Sequence, residues 1–285
     1  MLKNTWQDLF NYGFRIEKSK VSVINGNVSI DPIIGDWPMF GQNPQNTRSS
    51  LAEGPKKYRR NWWSQIGEEE DRILNCVIMD GALYITYLNS KQIYVINDIS
   101  VTPVKGKASI SYDKKIDLSS YDRYIVNSPT ITEDKIIIAT GEENNQGIEN
   151  YVIALDRNDG NVAWDYKYPA DICYSATPVV YDNKVFVTSW SGDPDLLKSN
   201  SNNKVIALEL EGGTQVWEFD LPAKCISTPA IYDNTVIVGC SNKNGKSLFA
   251  LNIETGEPVW NQSIGVIGRA SPVVYNNNVY IISKN

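Results

Sequence analysis

The chain has 285 residues, 42% of them hydrophobic and 21% charged, with a formal net charge of −6 and a pI near 4.9. That is the composition of a globular protein with material for a core, and its acidic balance argues against a partner held through nucleic-acid phosphates. The absence of histidine removes the commonest general base and metal ligand, and with them Ser-His-Asp, Cys-His and His-ligated zinc chemistry.

In chain order, residues 1–18 read as a short amphipathic helix, and SKVSVINGNVSI after it as a hairpin turning at Asn25-Gly26. No apolar core of a signal peptide is visible, and no run of 18 apolar residues occurs, so a soluble chain without a membrane span is expected, cytoplasmic or particle-associated. The basic cluster Lys56-Lys57-Tyr58-Arg59-Arg60 reads as a solvated strand edge, and Arg59 to Gln65, with Trp62 and Trp63, as an outer strand.

From there the chain repeats. Pro129 in NSPTITEDKIIIAT, Pro178 in ATPVVYDNKVFVTS, Pro229 in STPAIYDNTVIVGC and Pro272 in ASPVVYNNNVYIIS are spaced by 49, 51 and 43 residues, and NCVIMDGALYITY from Asn75 is a degenerate earlier copy. Each copy is two Val/Ile/Tyr-rich runs around an Asp/Asn/Gly turn, which predicts a tight β-hairpin. The runs are apolar almost throughout, so the strands should be covered on both faces.

A second phrase follows three of the hairpins at a constant eleven residues: ALDRNDGNVAW to Trp164, ALELEGGTQVW to Trp217 and ALNIETGEPVW to Trp260. It predicts a second hairpin, and each terminal tryptophan is expected to dock on the adjacent sheet. The units are therefore four-stranded antiparallel blades, and the fold is expected to be an all-β propeller of about five blades. The chain ends after the first two strands of a unit, so the N- and C-terminal strands should close the ring. Residues 1–35 are an N-terminal extension and 36–285 the propeller.

The pattern A-L-(D/N)-x-x-x-G-x-x-x-W after an S/T-P hairpin resembles the repeat of the pyrroloquinoline quinone (PQQ) propellers, the quinoprotein alcohol dehydrogenase superfamily. DWPMFGQNPQNTRSS at 36–50 resembles the N-terminal motif of its polyvinyl-alcohol dehydrogenase-like branch, and NSPTITEDKIIIATGEEN the branch's hairpin leading to an acidic loop. The resemblance implies an ancestral activity, oxidation of alcohols or polyols by PQQ with bound Ca2+ in the central channel, and makes one of Glu142 and Glu143 the match of a calcium ligand. The chain also departs from the pattern. Eight blades are usual there; the adjacent cysteine pair is missing; a T-G-N loop is replaced by Thr188-Ser189-Trp190; and no counterpart of the catalytic aspartate is found. The bacterial outer-membrane assembly lipoproteins share the repeat.

Strand order puts the loops between second and third strands on the same face as the lead-ins to each first strand. That face collects Glu142, Glu143, Trp190, Asp193, Asp195 and Cys240 from the loops, and Arg123, Lys224, Cys225 and Arg269 from the lead-ins. Oxygen-rich loops suit a hard cation, which makes Glu142 and Glu143 the candidate metal ligands, against the plainer reading of solvated loop carboxylates. Arg123, Trp190, Lys224 and Arg269 are the candidates for holding an anionic cofactor. The four cysteines form no C-x-x-C pair and read as small buried hydrophobes. Cys225 and Cys240 return to one end of a blade, where a disulfide is possible and free thiols are expected of a cytosolic protein. The expected function is a shortened propeller with reduced catalytic capacity, acting through a protein partner or self-assembly; the alternative is a PQQ- and Ca2+-dependent alcohol dehydrogenase.

Overall fold

The computed structural model describes residues 38–46, 72–88, 90–97, 112–141, 150–168, 176–190 and 203–284. The N-terminal extension, the strand expected from Arg59 to Gln65 and the acidic loop with Glu142 and Glu143 lie outside them.

Blade one pairs β1 (Arg72–Met79), β2 (Ala82–Leu88), β3 (Gln92–Ile96) and β4 (Lys114–Asp117) in that order, all antiparallel. Blade two has its inner strand in two pieces, β5 (Tyr124–Ile125) and β6 (Thr130–Ile131), both paired to β7 (Lys135–Gly141), followed by β8 (Asn150–Asp156) and β9 (Val162–Tyr168). Blade three runs β10 (Val179–Tyr181), β11 (Lys184–Ser189), β12 (Lys204–Glu209), β13 (Gln215–Asp220). Blade four runs β14 (Ala230–Tyr232), β15 (Thr235–Gly239), β16 (Leu248–Asn252), β17 (Pro258–Gln262), and the hairpin β18 (Val273–Tyr275), β19 (Asn278–Tyr280) begins a fifth. The all-β propeller of about five blades is thus the fold.

The hairpins form where the turn chemistry allows. Asp182-Asn183, Asp233-Asn234, Asn276-Asn277 and Asp80-Gly81 all take positive φ, the geometry of type I′ turns that match strand twist. Blade two turns through Glu133-Asp134 instead, with Lys135 N donating to Thr132 Oγ1 at 2.9 Å.

The apolar runs of blades two to four are buried on both faces because each of these sheets packs against two neighbours. Ile136 and Ile138 of β7 face blade one with Val77, Ile93 and Ile116, whereas Ile137 faces blade three with Val185 and Ile206. Phe186 and Trp217 of blade three pack with Val236 and Phe249 of blade four. The outer-strand tryptophans cross the same seams. Trp164 Nε1 donates to Leu210 O of blade three at 2.8 Å, and Trp217 Nε1 to Ile253 O of blade four at 2.9 Å. Each ring lies on a glycine of the receiving turn: a Cβ on Gly213 would come within 2.5 Å of Trp164, and one on Gly256 within 2.7 Å of Trp217. Blade one has no such tryptophan, and Lys114 takes its place, its Nζ donating to Asn158 O of blade two at 2.8 Å.

Ion pairs repeat at the same seams. Asp80 of blade one meets Arg157 of blade two at 2.8 Å, Lys135 meets Glu211 of blade three at 2.9 Å, and Lys184 meets Glu254 of blade four at 3.0 Å.

The segment 38–46 runs through the ring beside the innermost strands. Pro38 O accepts from Ile131 N of blade two (2.8 Å), Pro44 O from Ile231 N of blade four (2.8 Å), and Gln45 O from Val274 N of the last hairpin (3.0 Å). Asn46 Nδ2 donates to both Pro229 O and Pro272 O, at 3.0 and 3.1 Å. Met39 enters the core shared by blades three and four.

Candidate functional site

The face predicted to carry the chemistry is assembled by backbone bonds between a loop of one blade and the lead-in of the next. Ser241 N, after β15, donates to Lys224 O before β14 at 2.8 Å, and Ser241 Oγ donates to Ile267 O before β18 at 2.7 Å. Closer to the axis, Thr130 Oγ1 donates to Pro178 O at 2.6 Å, Thr188 Oγ1 to Ser227 O at 3.1 Å, and Thr228 N to Ser271 Oγ at 3.0 Å. These bonds tie blade two to three, three to four, and four to the last hairpin through buried polar groups.

Two of the four predicted cofactor residues meet. Trp190, immediately after β11, is only 6% exposed, and Lys224 Nζ stands 3.3 Å from the centre of its ring. The contact is a cation–π pair across the seam between blades three and four, worth more for being partly desolvated. It also sets what Trp190 can do: a flat quinone laid on that face would have to displace the ammonium.

The other two stand on separate spokes. Arg123 precedes β5 and its guanidinium donates to Asp122 O. Asp122 in turn is paired to Lys91 of blade one at 2.6 Å, a hydrogen bond that holds its carboxyl below the usual range. Arg269 is exposed on the lead-in to β18. Glu142, Glu143, Asp193 and Asp195 lie outside the described residues, and among those described no three Asp, Glu or Cys side chains converge as a metal site would require.

Cys225 and Cys240 do not present themselves on the face. Both are 0% exposed, free thiols, turned into the core shared by blades three and four. Burial pushes Cys240 up to about 12 from the ordinary 9.0, pushes Cys76 to about 12, and raises Cys225. The unfolded thiol ionises first, so stability is intact below pH 9.0 and falls as pH rises from there toward about 12. The slope is about 1.4 kcal/mol per pH unit for each thiol. Urea midpoints measured between pH 8 and 11 should fall less steeply in a Cys225→Ala/Cys240→Ala variant than in the parent, and native Cys225 and Cys240 should resist alkylation until the chain unfolds; equal slopes would show that neither thiol is held neutral.

Over residues 192–285 the chain matches the family model described as outer membrane protein assembly factor BamB. No curated protein matches it. Among solved structures it is similar to the quinohemoprotein alcohol dehydrogenase ADHIIG from Pseudomonas putida HK5, with 14% identity over 86% of this chain and 51% of that one and a TM-score of 0.51. A europium-containing methanol dehydrogenase gives 14% identity, 70% and 44% coverage and the same TM-score of 0.51. The fold is that of the PQQ-type propellers. BamB from Moraxella catarrhalis is similar at 16% identity over 73% of this chain and 57% of that one, with a TM-score of 0.49. The chain spans about half the length of these structures.

Sequence reasoning placed Trp190 and Lys224 on one face but not in contact. It saw the 36–50 motif without seeing that Asn46 joins two blades. It also passed over Lys243, Lys246 and Lys284, which carry no motif and became notable only when their segments met.

Proposed function

We propose that this chain is a binding or assembly propeller for a protein partner, formed by residues 36–285 after an N-terminal extension. The observation that carries the reading is the Lys224 ammonium seated on the Trp190 ring, where a flat cofactor would need an open aromatic face. The absent adjacent cysteines, and Trp190 where the dehydrogenases keep a ligand asparagine, point the same way. The BamB repeat model over the last third of the chain belongs to a family described as an assembly factor, which supports a role in partner binding.

A second reading, a PQQ- and Ca2+-dependent alcohol dehydrogenase of the polyvinyl-alcohol type, is favoured by the 38–46 segment lying in the ring beside the innermost strands. The residues described do not fit the quinone as they stand, so no catalytic step is drawn through it. Adding PQQ and Ca2+ to the purified chain decides between the two. Binding followed by quinone absorbance, and dye-linked oxidation of ethanol and polyvinyl alcohol, should both be negative. Saturable uptake with turnover would overturn the binding-module reading.

A further inference from the structure

From Leu221 to the end of the chain, the charges of blade four and the last hairpin separate by end. The acids Asp233, Glu254 and Glu257 all lie in the turns between first and second or between third and fourth strands. The cations Lys224, Lys243, Lys246, Arg269 and Lys284 all lie at the opposite end, where residues 221–284 supply no acid, although Asp220 of blade three lines a hollow with Lys246. This separation occurs in a chain whose net charge is −6.

Hydrogen bonds draw the cation-bearing segments into one surface. Ser241 joins the loop of Lys243 and Lys246 to Lys224 O (2.8 Å) and to Ile267 O (2.7 Å), and Ile264 N donates to Ser247 Oγ (3.1 Å). Val266 and Lys284 exchange two backbone bonds of 2.8 and 2.9 Å, which fixes Lys284 beside the lead-in that carries Arg269. Between them lies an open hollow of about 410 Å3 lined by Lys243, Asn244, Gly245, Ser263, Gly265 and Lys284. Every lining group that is not a lysine is neutral.

Lysines elsewhere in the fold behave differently. Lys91, Lys135, Lys184 and Lys204 each sit on a carboxylate within 4.0 Å, whereas Lys243, Lys246 and Lys284 have no ion pair among the described residues. The two of them that line the hollow, Lys243 and Lys284, repel one another, and that cost is relieved when an anion enters between them.

We infer that this sector docks an acidic segment of a protein partner, with Asp or Glu carboxylates in the hollow between Lys243 and Lys284 and flanking acids against Lys246 and Arg269. The inference rests on the binding-module reading and names the surface and the chemistry of its partner. A nucleic-acid backbone is disfavoured because the chain as a whole is acidic and the basic sector is small. A short acidic segment needs only the sector itself, and its attraction works through complementarity and rate of encounter.

The test is titration of the full chain with fluorescent deca-glutamate at low and physiological salt, with a ten-nucleotide oligo(dT) as the second polyanion. Deca-glutamate should bind saturably and weaken as salt rises. A Lys243→Glu/Lys284→Glu variant should lose affinity about tenfold, and the milder Lys243→Gln/Lys246→Gln variant about threefold, while Lys115→Glu on blade one leaves it unchanged. Thermal melts of all variants check that the fold is retained. Absence of saturable binding at low salt, an equal loss in Lys115→Glu, or oligo(dT) binding as tightly with the same sensitivity to the variants would each overturn the inference. Quinone uptake and turnover in the preceding assay would sink the binding-module reading without altering this titration, so the two failures are told apart.

Discussion

Trp217→Ala is expected to lower the unfolding free energy by about 3–5 kcal/mol, read from the urea midpoint at constant m. The ring is 7% exposed, it fills the seam between blades three and four, and its Nε1 is the donor to Ile253 O at 2.9 Å. Alanine leaves a cavity and an unsatisfied buried carbonyl together, and both terms destabilise. Gly256→Ala attacks the same contact from the other side. Its Cβ would lie 2.7 Å from the indole, and its φ of +74° already disfavours a side chain, so a loss of about 3 kcal/mol is expected.

The two changes should not add. With the indole gone, Gly256→Ala retains only its backbone penalty of about 1 kcal/mol, so the double variant is expected to be far less damaged than the sum. Additive losses in that cycle would show that the ring does not rest on the glycine. Lys114→Ala removes the corresponding contact of blade one, but its bond to Asn158 O is exposed, and a loss of no more than about 1 kcal/mol is expected.

Asn46→Ala is expected to cost about 2–5 kcal/mol, because one amide satisfies two buried carbonyls on different blades, Pro229 O and Pro272 O. The loss has a spatial signature that a simple packing defect lacks. Hydrogen exchange should speed up together at Ile131, Ile231 and Val274, whose N–H groups bond to the 38–46 segment from three separate blades, while the ladder amide of Ile237 keeps its protection. Faster exchange at Val274 alone would mean that the segment does not act as a unit. Gly41→Ala should reproduce the pattern, since a Cβ there would lie 2.6 Å from Asn46 Oδ1 at a φ of +73°.

The blades were legible because a hairpin is a local object. Asp182-Asn183 and Asp233-Asn234 announce their own left-handed turns, and the strands beside them are close in sequence. The phase of Trp164 and Trp217 was equally legible, since a recurring large apolar residue at one position implies a recurring contact. Lys114 was not, because only the packing of β4 on the turn at Gly160 shows that a lysine stem fills an indole's place.

The site was legible by face and not by contact. Strand order put Trp190 and Lys224 at one end of the ring, but their 3.3 Å approach depends on how two blades lean together. It also put Cys225 and Cys240 there, and the packing turned both inward to full burial.

What the sequence determined by itself is the repeating unit: hairpin turns, strand phase and blade order follow from bonds between near neighbours, which need no knowledge of the rest of the chain. What only the tertiary structure decided is everything spanning seams and axis. Asn46 finds its partners 183 and 226 residues away, and Lys243 and Lys284 come to line one hollow only when their segments meet. Such contacts depend on the relative placement of sheets, which arises from the summed packing of both faces and is written in no short stretch of residues.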